Sequence, residues 1–188
     1  MRTLLCLLSL CLGNAQAQLE VQHLNFSISL PTQHRDYLPL IQHTLSQASH
    51  ELAQEWHLPL EHTVHLIFHE NLNSYQAASG QAYFIAASSF PLEATIHFQR
   101  IPILSERRLL VSSIRHELFH MAQPPNWQRW LAEGSAVMFS GEGIVAQSNQ
   151  TLSRAELNQR LTTAQSLEEL EWLMGVARAY AEAYHQME

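Results

Sequence analysis

Two short segments carry the residues able to do chemistry: His116-Glu117-Leu118-Phe119-His120, and Trp130-Leu131-Ala132-Glu133-Gly134-Ser135-Ala136 a little further on. On a helix, positions i and i+4 lie one turn apart on the same face. His116 and His120 can then offer two imidazole nitrogens to one metal ion. Glu117 follows the first histidine directly, where a carboxylate can hold a water on the metal and take its proton without itself being a ligand. A catalytic zinc commonly has three protein ligands and one open position. Glu133 is the third candidate, with Glu142 behind it. The plainer reading, surface histidines on an amphipathic helix, is disfavoured by context: a second helical stretch with an acidic residue follows at short range.

These two segments, His-Glu-Leu-Phe-His and Trp-Leu-Ala-Glu-Gly-Ser-Ala, resemble those of the gluzincin metallopeptidases. More narrowly they are similar to the compact peptidase MA-like group, in which a W-L-x-E-G-x-A helix supplies the glutamate ligand. The resemblance is specific over about residues 80–140. It implies a zincin-like fold, one Zn2+ per chain and hydrolysis of peptide bonds. It implies metal ligands at His116, His120 and Glu133, and a general base at Glu117. It further implies an edge strand that receives extended substrate by backbone pairing, either 94–99 or 81–87. A C-terminal helix would bring Tyr180, Tyr184 or His185 over the site to donate to the oxyanion; packing on the core is the competing reading for each tyrosine. The metzincin pattern is excluded, because Gln123 and Asn126 stand where it needs Gly and His.

The elements that must position these residues follow from periodicity. Leu109, Leu110, Ile114, Leu118 and Met121 have helical spacing, with Ser105 as an N-cap and Pro124-Pro125 as the stop. Asn126 is a fair N-cap for the next helix, over 127–140. Twelve residues separate His120 from Glu133, enough for a proline turn that folds the second helix back. Gly134 lets the helices approach closely. Upstream, alternation over 19–30 predicts a strand ended by Pro31. A three-to-four period predicts a long amphipathic helix over 35–56. Strands are expected at 63–68, 81–87 and 93–99, and a short helix or turn at 71–78 before Gly80. Capping boxes at Ser153/Glu156 and Ser166/Glu169 predict helices over 154–163 and 167–173, with another over 176–187. The fold class is therefore α+β: an N-terminal mixed sheet with a long helix, an active-site helix, a glutamate-ligand helix and C-terminal helices.

Composition bounds the rest. Met1-Arg2, the apolar run Leu4–Leu12 and Ala15-Gln16-Ala17 read as a secretory signal peptide over 1–17, with 18–188 as one zincin-like metallopeptidase domain. Both cysteines, Cys6 and Cys11, fall in the leader, so the exported part has no thiol to pair or to bind metal. Leu10 stands before Cys11 where a lipoprotein needs a small residue. Formal net charge is −7, with no lysine at all, which argues against nucleic acid as a partner. No other run is long enough to insert stably in a bilayer. The 12 histidines are dispersed and form no metal-storage tract. His65 and His69 share one strand face and read as solvent-facing in preference to a two-histidine metal site. The expectation is a periplasmic or secreted zinc peptidase whose partner is a peptide or protein substrate. The rival is a non-catalytic zinc-binding periplasmic domain, a degenerate peptidase that holds a protein or cell-wall partner.

Overall fold

The structure is a computed structural model that describes residues 17–148 and 152–187. The predicted leader therefore lies outside the described residues except for Ala17, whose carbonyl accepts from the Thr32 amide at 2.9 Å. Among the described residues no helix is long and apolar enough to cross a membrane.

The expected first strand is two strands. β1 (Gln18–His23) and β2 (Phe26–Pro31) form an antiparallel hairpin, with His23 opposite Phe26. Leu24 takes a left-handed backbone (φ 53) at the turn. A Leu-Asn turn carries no glycine signal, so the alternation ran straight through it. A 3-10 stretch (Thr32–Tyr37) leads into α1 (Leu38–Gln54), the long amphipathic helix. β3 (Val64–Phe68) and α2 (Leu72–Ser79) follow as expected, α2 capped by the Asn71 side chain and closed by left-handed Gly80.

The next segment corrects two expectations. Residues 81–86 are loop, and the short strand β4 is Ala87–Phe90, where a connection was expected. The Gln99 amide holds this loop: its Nε2 donates to the carbonyls of Tyr83 and Ile85, both at 2.7 Å. A 3-10 turn at Pro91–Glu93 leads to β5 (Thr95–Phe98). The sheet is mixed, in the order β1-β2-β3-β5-β4, with β2, β3 and β5 parallel and the two outer strands antiparallel. The strand at 94–99 is thus interior, and β4 is the edge.

The motif helix is also in two pieces. α3 (Ile101–Glu106) ends in a turn in which Arg108 is left-handed (φ 58), and α4 (Leu110–Ala122) starts afresh. Ser105 lies inside α3 and caps nothing. α5 (Arg129–Ser140) begins after Gln128, so Asn126 is not its cap. α6 (Arg154–Thr163) starts with the full Ser153/Glu156 capping box. The two helices expected at the C-terminus are one, α7 (Leu167–His185). Gly175 does not break it, because the loop carbonyl of Val145 packs where a Cβ would sit, at 2.7 Å.

One face of the sheet is dry. Phe26, Ile28, Leu66, Phe68, Ile96 and Phe98 pack against Ile41, Leu45 and Leu52 of α1 and Ile114, Leu118 and Phe119 of α4. The opposite face carries Ser27, Ser29, His65, Thr95 and His97, none of them buried. This gives the period of two that made the strands legible. A second cluster joins Trp130 and Leu131 of α5 to Leu157 and Leu161 of α6 and Leu173, Val176, Ala177 and Ala181 of α7. Trp127, between α4 and α5, packs on both clusters.

Candidate metal centre

The proline turn after α4 folds α5 back against it. Nε2 of His116 lies 3.4 Å from a Glu133 carboxylate oxygen, and Nε2 of His120 lies 3.4 Å from the same oxygen. One ligand atom from each of the three residues lies within 4.8 Å of the other two. For a tetrahedral ion with bonds of about 2.1 Å, neighbouring ligand atoms stand about 3.4 Å apart. The donor set therefore fits a small cation of zinc's size: two neutral imidazoles, one carboxylate and no thiolate.

The side chains behind these ligands are placed as such a site requires. Nδ1 of His116 is buried and makes no well-aligned hydrogen bond; it lies 3.3 Å from a Glu142 carboxylate oxygen. Glu142, expected only as a reserve ligand, thus stands on the far nitrogen of His116. Nδ1 of His120 is 3.1 Å from Oε1 of Gln123. Arg129, one turn before Glu133 on α5, reaches its other oxygen at 3.4 Å. Arg115, next to His116, anchors α4. Its Nη2 donates to both oxygens of Glu51 on α1, each at 2.8 Å, and to the Phe139 carbonyl near the end of α5 at 2.6 Å.

Charge calls for a cation at this point. Burial alone would push the His116 pKa down; the Glu142 and Glu133 carboxylates beside it, with Glu117, outweigh burial and hold it well above the usual histidine value. Burial would likewise raise Glu133, but charge on His120 and hydrogen bonds from both histidines hold it well below the usual carboxylate range. Three carboxylates surround two imidazoles, so the protein's own charges leave the centre negative unless protons or a metal fill it.

The centre opens on a cleft of about 1750 Å3. One face of α4 runs along it, through Leu109, Ser112, Ser113, His116, Glu117 and His120. Ala87, Ser88 and Ser89 of the edge strand β4 form one wall; the end of α6 and the start of α7 form another. Glu117 is almost fully buried, at 8% exposure, yet lines this cleft. The edge strand beside the motif helix is therefore 87–90, not 94–99 or 81–87.

The C-terminal helix does not bring its predicted donors to the centre. The Tyr180 hydroxyl donates to the Leu152 carbonyl at 2.8 Å, and its ring lies on Trp130. The Tyr184 ring sits against Trp130 and His185. Nε2 of His185 is 2.8 Å from the Ser135 hydroxyl, on the side of α5 that packs on α7. None of the three lines the cleft. Of the other histidines, His69 and His97 are not separate solvent-facing side chains: Nε2 of His69 is 2.9 Å from Nδ1 of His97, and both are half-buried. Gln123 is close in sequence, the extended residue that ends α4 three positions after His120; the cross-loop approach of Glu142 had no signal. Comparison of the chain with protein-family models, with curated proteins and with solved structures finds no match.

Proposed function

We propose that the chain is a zinc-dependent peptide hydrolase of gluzincin type, with a zincin-like fold, acting after export. The observation that carries this reading is the convergence of His116, His120 and Glu133 at 3.4 Å separations, with Glu117 beside them in the same cleft. His116, His120 and Glu133 would hold the metal. When bound, zinc supplies a Lewis acid that polarises a carbonyl and lowers the pKa of a water in its open position. Glu117 accepts the proton from the attacking water at its carboxylate and returns it to the leaving amine nitrogen. Glu142, 3.3 Å from Nδ1 of His116, favours the orientation of that ring by its charge, and Gln123 holds His120 through a hydrogen bond at Nδ1. β4 pairs its free backbone edge with an extended substrate and aligns the scissile bond over Glu117. A purely structural or storage metal site has no use for Glu117, a nearly buried carboxylate that opens on the cleft, and this weighs against the non-catalytic alternative. Export rests on the leader-like run over 1–17 alone.

The test is Glu117→Gln beside the wild type. The variant is expected to keep one zinc per chain, read by elemental analysis, and to lose at least about 100-fold in peptide hydrolysis. Hydrolysis at the wild-type rate would remove Glu117 from the mechanism. Zinc bound to a wild type that cleaves nothing in a mixed peptide library would favour the non-catalytic reading.

A further inference from the structure

Arg107 and Arg108 are exposed side by side in the turn between α3 and α4, and both line the cleft that holds the metal centre. Neither has an ion pair or a side-chain hydrogen bond among the described residues. This sets them apart from five of the nine described arginines. Arg115, Arg129, Arg160 and Arg178 each pair with a carboxylate, and Arg154 lies over the Trp130 ring. Two free guanidinium groups facing one groove are unusual in a chain with a formal net charge of −7.

The turn that carries them is built by backbone hydrogen bonds. The Arg107 amide donates to the Ile103 carbonyl at 3.1 Å, Arg108 to Ser105 at 3.0 Å and Leu109 to Leu104 at 2.7 Å. The pair is thus displayed from a fixed base at the N-terminal end of the α4 face that lines the cleft. A helix rises about 1.5 Å per residue, so Leu110 to Glu117 spans roughly 10 Å. An extended peptide advances about 3.3 Å per residue. A substrate lying along β4 would meet the arginines about three to four residues from the bond over Glu117.

We propose that Arg107 and Arg108 form a carboxylate-recognition subsite, and that the cleft takes peptides bearing a carboxylate three to four residues from the reacting bond. A guanidinium matches a carboxylate with two parallel N–H donors, and two in sequence favour a run of acidic residues. The carboxylate belongs either to Asp or Glu side chains or to a peptide C-terminus. Most other carboxylates facing the groove are engaged elsewhere: Glu142 at His116, Glu133 at the histidines and Arg129, and Glu169 at Arg160, while Glu117 belongs to the centre and Glu168 and Glu171 belong to the start of α7. Glu106, beside the pair in sequence, does not line the cleft. As a substrate class this rests on the peptidase reading, whereas the docking itself is measurable without cleavage.

The experiment is fluorescence anisotropy on the Glu117→Gln protein with zinc added. Four labelled decapeptides are compared: acidic and amidated, neutral with a free C-terminus, neutral and amidated, and basic and amidated. One of the two carboxylate-bearing peptides is expected to bind roughly 3- to 10-fold tighter than the neutral amidated one, and which of them does so identifies the source. The preference should weaken with added salt. Arg107→Ala/Arg108→Ala should abolish it, and Arg107→Glu/Arg108→Glu should invert it toward the basic peptide. Arg35→Ala, an exposed arginine remote from the cleft, should retain it; thermal melts of each variant confirm that the fold is kept. Equal binding of all four peptides, or an acidic preference that survives loss of both arginines, overturns the proposal. Wild-type hydrolysis of the same peptides is scored separately: binding preference without any cleavage would leave the subsite standing and remove the peptidase reading.

Discussion

Gly134→Ala sets two effects of opposite sign against each other at the residue next to Glu133, a candidate metal ligand. Replacing glycine by alanine inside a helix is intrinsically favourable by about 1 kcal/mol. At this position the added Cβ would lie 2.3 Å from the Ala177 carbonyl oxygen, 2.6 Å from its carbon and 2.8 Å from the Ala181 Cβ. The first obstacles are backbone atoms of α7, and no side chain can rotate to clear them. α5 and α7 must separate, and a gap of 0.5–1 Å forfeits roughly a quarter to a half of each dispersion contact. The interface at stake holds Trp130, Leu131, Val176, Ala177 and Ala181. Overpacking of this kind costs about 3 kcal/mol at the upper end of its usual range. The net loss is about 2 kcal/mol, which lowers the melting temperature by roughly 4–8 °C for a chain of this size. Because Glu133 precedes Gly134, the same movement pulls its carboxylate from the histidines. Zinc affinity should fall roughly tenfold or more, the scale of a disturbed supporting shell. Thermal melts without metal and a chelator-competition titration read the two consequences separately. A melting temperature equal to or above that of the wild type would refute the packing argument, since helix propensity would then have won.

Arg115→Ala should cost about 2 kcal/mol, because it leaves the Glu51 carboxylate and the Phe139 carbonyl without their shared donor; a melting shift under about 2 °C would show that the tie between α1, α4 and α5 is not holding them. Stability should also fall in mild acid through His69. Burial, then the neighbouring His97, push its pKa from 6.5 down to about 4, and burial lowers His97 as well. The folded state therefore binds fewer protons than the unfolded chain between about pH 6.5 and pH 4, and stability is full above that window and drains as pH falls through it. The bound from His69 is about 3 kcal/mol, which partial exposure reduces to about 1–2 kcal/mol. Urea unfolding at pH 7 and pH 4.5 should show this loss in wild type and a smaller one in His69→Gln; an equal pH slope in both would assign the acid sensitivity elsewhere.

What could be read in advance follows a physical division between local and non-local signals. The α4 face was legible because burial repeats every three to four residues, and α6 because its Ser153/Glu156 box is a local hydrogen-bond pair. β2 and β3 were legible because only one sheet face is dry. Failures cluster where the chain turns without glycine or proline. Leu24 and Arg108 adopt left-handed backbone with ordinary side chains, so the hairpin and the break between α3 and α4 gave no warning. The split of α7 failed in the opposite way. The helix runs through Gly175, whose small size admits the loop carbonyl of Val145, a contact that no local pattern encodes. The edge strand failed by register: 81–87 has the apolar content of a strand, but its carbonyls go to the Gln99 side chain, and the ladder to β5 starts only at Ala87.

The same division runs through the candidate metal centre. His116 and His120 are one turn apart, and Glu133 belongs to a segment that the proline turn folds back, so sequence distance carried most of their geometry. Glu142 is different. It lies beyond the end of α5, and reaches Nδ1 of His116 only because α5 is clamped between α4 and α7, with Gly134 against Ala177 on one side and Arg115 holding the Phe139 carbonyl on the other. The orientation of His116 therefore depends on contacts made around α5 by residues that are not candidate ligands and do not line the cleft. A conservative change there, such as one methyl group at Gly134, reaches the centre by moving the helix that bears Glu133. By contrast the tyrosines of α7, which periodicity placed on one face, spend that face on Trp130 and the Leu152 carbonyl. In this fold the C-terminal helix is the wall against which α5 is set, and the rings of Tyr180 and Tyr184 pack on Trp130.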